Sequence, residues 1–272
     1  MKPVPKDLLD PRKLRAHILN MAFAGNSVHI GCAFSLVEIL TALFTSVLRV
    51  DLSNVEHPER DRLVLSKGHG VMALYAIYRE LGWLDQTHLD QYFSDGSLLH
   101  GLSEAKIAGL EVSSGSLGHG LPIAVGMAYG FMRLCGEGVR ERHVFCIVGD
   151  GEMNEGSVWE ALLFAGHHRL RNLTVVVDAN AYQAMGPVSS IIDMEPFSAK
   201  FRAFGFEVIE CDGHDLEKLR SAFEQLFEKP KAIIARTVKG KGVSFMEGNN
   251  EWHYRRLTPE LRAQALREVL EV

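Results

Sequence analysis

With 272 residues, 47% hydrophobic and 23% charged, the chain has the composition of an ordinary globular protein, long enough to bury most of its apolar surface in one α/β domain or at most two. The balance of 29 basic against 34 acidic residues, net −5, excludes a broad basic surface for nucleic acid or anionic lipid and favours small-molecule chemistry. The opening MKPVPKDLLDPRK lacks a signal-peptide core and no stretch approaches ~18 consecutive apolar residues, so a soluble, unsecreted, cytoplasmic protein is expected, with no membrane partner.

Helical apolar spacing predicts helices over Leu14–Ala24 and Leu36–Leu48, the second with Ser35 as its N-cap. A third is expected over Val71–Leu81, after the glycine-rich Ser66-Lys67-Gly68-His69-Gly70, and a fourth, with small residues on one face, over Gly120–Leu134. From residue 143 the pattern changes to strand Val144–Val148, helix Val158–His168, strand Leu173–Asp178, strand Phe206–Glu210, helix Leu216–Phe227 and strand Ala232–Thr237. Strands alternating with helices imply an α/β, doubly wound, mostly parallel sheet with helices on both faces. A helical tail over Pro259–Leu270 closes the chain, and residues 1–272 read as a single domain. Cys32, Cys135, Cys146 and Cys211 lie too far apart for a Cys-x-x-Cys pair or a metal-ligand spacing, so reduced thiols are expected.

In such sheets ligands bind beyond the carboxyl ends of the strands, where Gly149-Asp150-Gly151 and Asp178-Ala179-Asn180 fall. Between Gly151 and Asn180 lie 28 residues, enough for a loop, one helix and a return strand, so Asp150 and Asn180 become neighbours at one sheet edge. Either motif alone is a common turn or strand exit. Together, one carboxylate and one amide oxygen, with a backbone carbonyl and phosphate oxygens, suit the octahedral demand of Mg²⁺ and imply a diphosphate-bearing cofactor. No Gly-x-Gly-x-x-Gly or Gly-Lys-Ser/Thr loop supports a dinucleotide or P-loop alternative.

Eight segments resemble the thiamine diphosphate-binding half of transketolase: SVHIGCAFS (27–35), LSKGHG (65–70), LLHG (98–101), EVSSGSLGHG (111–120), GDGEMNEG (149–156), VDANAYQAMG (177–186), DGHD (212–215) and TVKGKGVSFMEGNNEWH (237–253). The resemblance implies that Asp150, Asn180 and the carbonyl of Tyr182 hold Mg²⁺, or Ca²⁺ or Mn²⁺, on thiamine diphosphate, with Gly149, Gly151 and Glu152 beside it. It also implies that His29, His69, His100 and His253 line a channel above the thiazolium, His69 touching the cofactor and the set moving protons at substrate hydroxyls. Gly115, Ser116 and Leu117 resemble the loop against the aminopyrimidine, Leu117 supporting the bent cofactor. Ser116 and His119 stand where full-length transketolases commonly carry proline and glutamine, which bears on sugar preference. Lys239-Gly240-Lys241-Gly242 resembles a loop that closes over the site, with Lys241 equally readable as part of a solvated turn. Glu155 resembles a glutamate at the subunit interface, while His167-His168 reads as the end of the crossover helix, where a cation favours the helix dipole.

In that family the glutamate that activates the cofactor lies on a separate pyrimidine domain, and this chain reaches Val272 without one. The resemblance therefore implies the N-terminal subunit of a split transketolase. Such a subunit works with a complementary C-terminal subunit that carries the activating glutamate, as a heterotetramer with two copies of each chain. It would transfer a two-carbon ketol unit from a ketose to an aldose, free or phosphorylated. A deoxyxylulose-phosphate synthase-like or 2-oxo acid dehydrogenase-like subunit, and a non-catalytic regulatory paralogue, are the alternatives; the histidine-bearing segments favour transketolase.

Overall fold

Fully buried strands of a parallel sheet read as unbroken apolar runs, because both faces are covered. In the computed structural model, which describes residues 1–134 and 141–271, five strands form one parallel sheet, and the two in its middle that run from Val144 and Leu173 are of this kind. The five are Arg62–Leu65 (β1), Val144–Gly149 (β2), Leu173–Ala179 (β3), Glu207–Asp212 (β6) and Lys231–Arg236 (β7), in the order β1-β2-β3-β7-β6. Tyr182–Gln183 (β4) and Gly186–Pro187 (β5) make a small antiparallel ribbon just beyond β3. The register sets Gly149 beside Asp178 and Asp178 beside Ala235, so three central strands end level with one another.

Alternate residues of the strands feed two cores. Leu63, Leu65, Phe145, Ile147, Val176 and Ile233 pack on one face against Pro11–Ala24 (α1), Ile30–Phe34 (α2), Val37–Ser46 (α3), Met72–Glu80 (α4) and Gln86–Asp90 (α5). Val64, Val144, Cys146, Val148, Val175 and Val177 pack on the other against Gly120–Leu134 (α6) and Gly156–His167 (α7). After the short Val188–Ile191 (α8), Phe197–Ala203 (α9) joins that second face, whereas Leu216–Glu224 (α10) and Pro259–Leu270 (α11) return to the first. Each fully buried Val, Leu or Ile contributes about 1.5–3 kcal/mol. The doubly wound architecture expected from the alternation is thus present, and α11 lies on α1, where Arg262 donates to Asn20 at 2.8 Å.

Several boundaries differ from expectation. β1 escapes sequence reading because it is four residues long and shows no alternation. α10 stops at Glu224 rather than Phe227 because Lys231, buried at the start of β7, donates to the carbonyls of Ala222, Phe223 and Gln225 at 2.7–2.9 Å and closes the helix end. Ser35 is no N-cap: Leu36 precedes α3, and the Ser35 hydroxyl points inward to a carboxylate on β3. Cys32 and Cys146 are buried free thiols, Cys211 is a half-buried one, and Cys135 lies outside the described residues.

Candidate functional site

At the carboxyl edge of the sheet a single buried carboxylate organises four loops. Asp178, fully buried near the end of β3, accepts hydrogen bonds from Ser35 at the end of α2 (2.6 Å), from Lys67 after β1, from Asn180 Nδ2 (3.2 Å) and from Thr237 after β7. Burial works against its charge, but Lys67 and these bonds outweigh burial and hold its pKa below the ordinary range. For Lys67, burial is likewise outweighed by Asp178, which raises its pKa. Removing one partner of such a pair leaves an uncompensated buried charge, so the two maintain each other. The bond to Nδ2 also fixes the Asn180 amide, leaving Oδ1 as the atom it can present to a ligand.

Asp150, at the tip of β2, is also buried, yet among the described residues no cation bonds it: its oxygens accept only the backbone N–H groups of Gly151 (2.8 Å) and Ala181. Burial, reinforced by Asp178, pushes its pKa up to about 7. Such a carboxylate is the donor a divalent cation relieves, and it shares one cavity with Asn180 and Tyr182. Among the described residues no cluster of three His, Cys, Asp or Glu side chains could hold a metal ion. A hard cation here would therefore rest on Asp150, amide and carbonyl oxygens, and phosphate, which fits Mg²⁺ better than zinc.

The cavity measures about 460 Å³ and its wall brings together His29, His69, His253, Lys67, Leu102, Gly115, Leu117 and the Gly149–Glu152 turn. The three imidazoles form a triangle with centroids 5.0–5.7 Å apart. His29 adopts a left-handed backbone (φ 69°), as does Ala181 (φ 69°), local strain of the kind that marks functional loops. Its N–H is anchored on the His253 carbonyl (3.0 Å). Burial, then the nearby Lys239 and Lys67, lowers the pKa of His29 to about 4. Burial first, and Lys239 next, takes His253 to about 3, and burial with Lys67 holds His69 well below its usual range. All three rings are neutral near pH 7. Fully buried Lys239 lies 3.0 Å from His253 Nδ1 and donates to Asn250 at 2.9 Å; as the ammonium only donates, His253 carries its proton on Nε2.

The structure separates the expected residues. His100 does not line this cavity; it faces an adjoining depression of about 530 Å³, which shares His29 and Leu102 with it, and its ring nitrogens meet Glu104 and the Ser97 carbonyl. Ser116 is exposed and outside the wall, while Gly115 and Leu117 are in it. Glu152 lines the cavity, but its oxygens are engaged by Ser66, by Gly118 N (2.8 Å) and by Gly149 N (3.2 Å), so it braces the loops around the turn. Gly118 sits at φ 84°, and a Cβ there would meet Ser157 Oγ at 2.6 Å and Glu155 Cβ at 2.8 Å, which is why this loop can press onto α7. Glu155 is exposed at the rim, immediately before α7. Sequence reading passes over Ser35, Lys67, Asp178, Thr237, Cys32 and Lys239 as actors, although all lie in the motifs quoted for the resemblance.

These shifts set an acid-stability prediction. His29, His69, His253 and the buried His143 (about 4, from burial) have folded pKa values below the ~6.5 of an unfolded histidine. Their stability is fully present above ~6.5 and is lost as pH falls through the folded values, because the unfolded chain binds the extra protons. Asp150 and Glu152, both raised by burial, act in the opposite sense but are two groups against four. The thermal midpoint of the ligand-free chain is expected to fall between about pH 7.5 and about pH 5. A midpoint that stays level or rises would contradict the buried neutral histidines.

Fold and cavity define an α/β protein with a ligand cavity at the carboxyl ends of its central strands. The family profile described as "Transketolase, thiamine diphosphate binding domain" matches residues 12–269, and the chain belongs to this family. It is 34% identical over 266 residues to an apulose-4-phosphate transketolase subunit of Phocaeicola vulgatus, covering 97% of this chain and 93% of that one. It is 39% identical over 249 residues to "6-deoxy-6-sulfo-D-fructose transketolase subunit SqwG" of Clostridium sp., covering 89% and 88%. A transketolase structure from Campylobacter jejuni superposes with a TM-score of 0.88 at 32% identity, over 95% of this chain but only 42% of that chain. The chain thus spans about two-fifths of that solved transketolase and nearly all of the two relatives named as subunits.

Proposed function

We propose that this chain is the diphosphate-holding subunit of a two-chain, cytoplasmic transketolase that moves a two-carbon ketol unit from a ketose to an aldose, free or phosphorylated. The observation that carries the reading is the one cavity shared by three neutral imidazoles and a buried carboxylate that, among the described residues, no cation bonds. Bound thiamine diphosphate supplies the carbon nucleophile that accepts the two-carbon unit. Asp150, Asn180 and the Tyr182 carbonyl hold the metal, Mg²⁺ or its substitutes Ca²⁺ and Mn²⁺. Lys67 and Lys239 offset the diphosphate charge, and Leu117 supports the cofactor. Neutral imidazole takes and returns protons at substrate hydroxyls, with Nε2 of His253 bearing the donor proton. A complementary subunit supplies the activating glutamate, with two copies of each chain in the assembly. Among the described residues no helix is long and apolar enough to cross a membrane.

A coupled ketol-transfer assay on this chain mixed with its complementary subunit tests the reading; no transfer from any ketose donor with cofactor and Mg²⁺ present would end it. In the same assay His69→Ala is expected to lower kcat ~10²-fold, the usual loss of acid–base assistance. His100→Ala, altering the outer depression, should act mainly on KM. Equal losses of kcat in both variants would remove the distinction between the inner and outer cavities.

A further inference from the structure

One cluster the proposed mechanism leaves unused lies beneath the loop that carries Lys239. Glu38 on α3 is buried and receives Arg15 of α1 through both terminal nitrogens (2.7 and 2.9 Å) and His214 Nδ1 (2.8 Å). His214 belongs to the Asp-Gly-His-Asp turn between β6 and α10, and its Nε2 accepts the backbone N–H of Val238 at 2.8 Å. Arg15 Nε donates to the Lys241 carbonyl at 2.8 Å. The cluster therefore grips the loop at two points, one residue before Lys239 and two after it.

Between those points the loop has little room to adjust. Gly240 is left-handed (φ 80°), its N–H is bound to the Gly31 carbonyl at 3.1 Å, and a Cβ there would meet the Met246 carbonyl oxygen at 2.5 Å. Lys239 is carried inward by this turn to bond His253 and Asn250. The residue type at 214 follows from its two partners. A carboxylate bound by arginine can only accept, and a backbone N–H can only donate, so the bridge needs a donor on one side and an acceptor on the other. A neutral imidazole protonated on Nδ1 supplies both across one ring.

We propose that His214 is a positioning residue for the cofactor cavity: by bridging Glu38 to Val238 N–H it holds the loop in the one arrangement that places Lys239 against His253. The inference rests on the cavity's assignment to thiamine diphosphate, so its test includes a readout on the protein without cofactor. In the full-length chain, Val238 and Gly240 amides are expected to be protected from hydrogen exchange, and His214→Ala should remove that protection and shift the ring resonances of His253. His214→Gln, which keeps an acceptor for Val238, should retain both.

By calorimetry with thiamine diphosphate and Mg²⁺, His214→Ala should bind ~10-fold more weakly or worse, as when a residue supporting a ligand is removed. His214→Gln should stay within about threefold of the parent, well short of that loss. Unprotected Val238 and Gly240 amides in the parent chain would overturn the proposal even if His214→Ala failed to fold. Unmoved His253 resonances in a folded His214→Ala would overturn it as well. No cofactor binding by the parent chain, with the loop effects intact, would instead count against the cavity's assignment and leave the positioning role standing on exchange and resonance data.

Discussion

Asp150→Ala is expected to abolish Mg²⁺-dependent binding of thiamine diphosphate, a loss of more than ~10²-fold, while leaving the fold intact. Metal affinity depends on charged oxygen donors, and Asp150 is the buried carboxylate at the end of β2 whose oxygens, among the described residues, accept only two backbone N–H groups. Asn180 offers a neutral amide and Tyr182 a carbonyl, too little to hold a hard divalent ion without the acid. The fold should survive because the side chain lies beyond the end of β2 and its ionised form is opposed by burial and by Asp178. What is lost are two hydrogen bonds to backbone N–H groups, each with a net worth of ~1 kcal/mol. Asn180→Ala should weaken binding similarly, but at more cost to stability, since it removes a bond to the Asp178 hub. Calorimetric titration with and without Mg²⁺, beside a thermal melt, measures both. Parental affinity in Asp150→Ala would remove the metal assignment.

What the sequence discloses and conceals follows from how local each signal is. β2 and β3 are legible because Val144–Val148 and Leu173–Asp178 are buried on both faces and are therefore almost wholly apolar, and their polar ends announce Asp150 and Asn180. Helix α6 is legible from its small-residue spacing: it starts at Gly120 as expected and runs through Leu134. Ser35 misleads because a serine before an apolar helix satisfies the local rule for a cap, while its real partner, Asp178, is 143 positions away. Lys67 and Lys239 sit beside glycines, and nothing local in the sequence marks either as buried; only the convergence of β1, β3 and β7 at one edge shows that both are. His100 shows the limit of motif matching. It lies in a motif as well matched as that of His69, yet the backbone turns it toward Glu104, and no property of the motif alone distinguishes the two.

Ketol transfer by this chain is expected to be absent without its complementary subunit and to appear on mixing, a change from no turnover to full turnover. Activating thiamine diphosphate requires a carboxyl group against the pyrimidine ring, and the acids that line the cavity are Asp150, Glu152 and Glu155. Asp150 is committed to the metal under the proposed assignment, and Glu152 is saturated by Ser66, Gly118 and Gly149. Glu155 stands exposed at the rim, placed to meet a neighbour rather than a ring inside. α6 and α7 also present Ile123, Leu163 and Phe164, 43%, 60% and 41% exposed, and Phe164 lines a depression of about 370 Å³ with Pro122, Gly126 and Glu160. Apolar side chains gathered on one face favour association, so the chain alone should self-associate, and with the complementary subunit it should form an assembly with two copies of each. Light scattering for mass and a coupled assay for turnover, each with and without the second chain, test both statements together. Robust turnover by this chain alone would show that the carboxylate comes from within it and would sink the two-chain reading, whatever mass it displays.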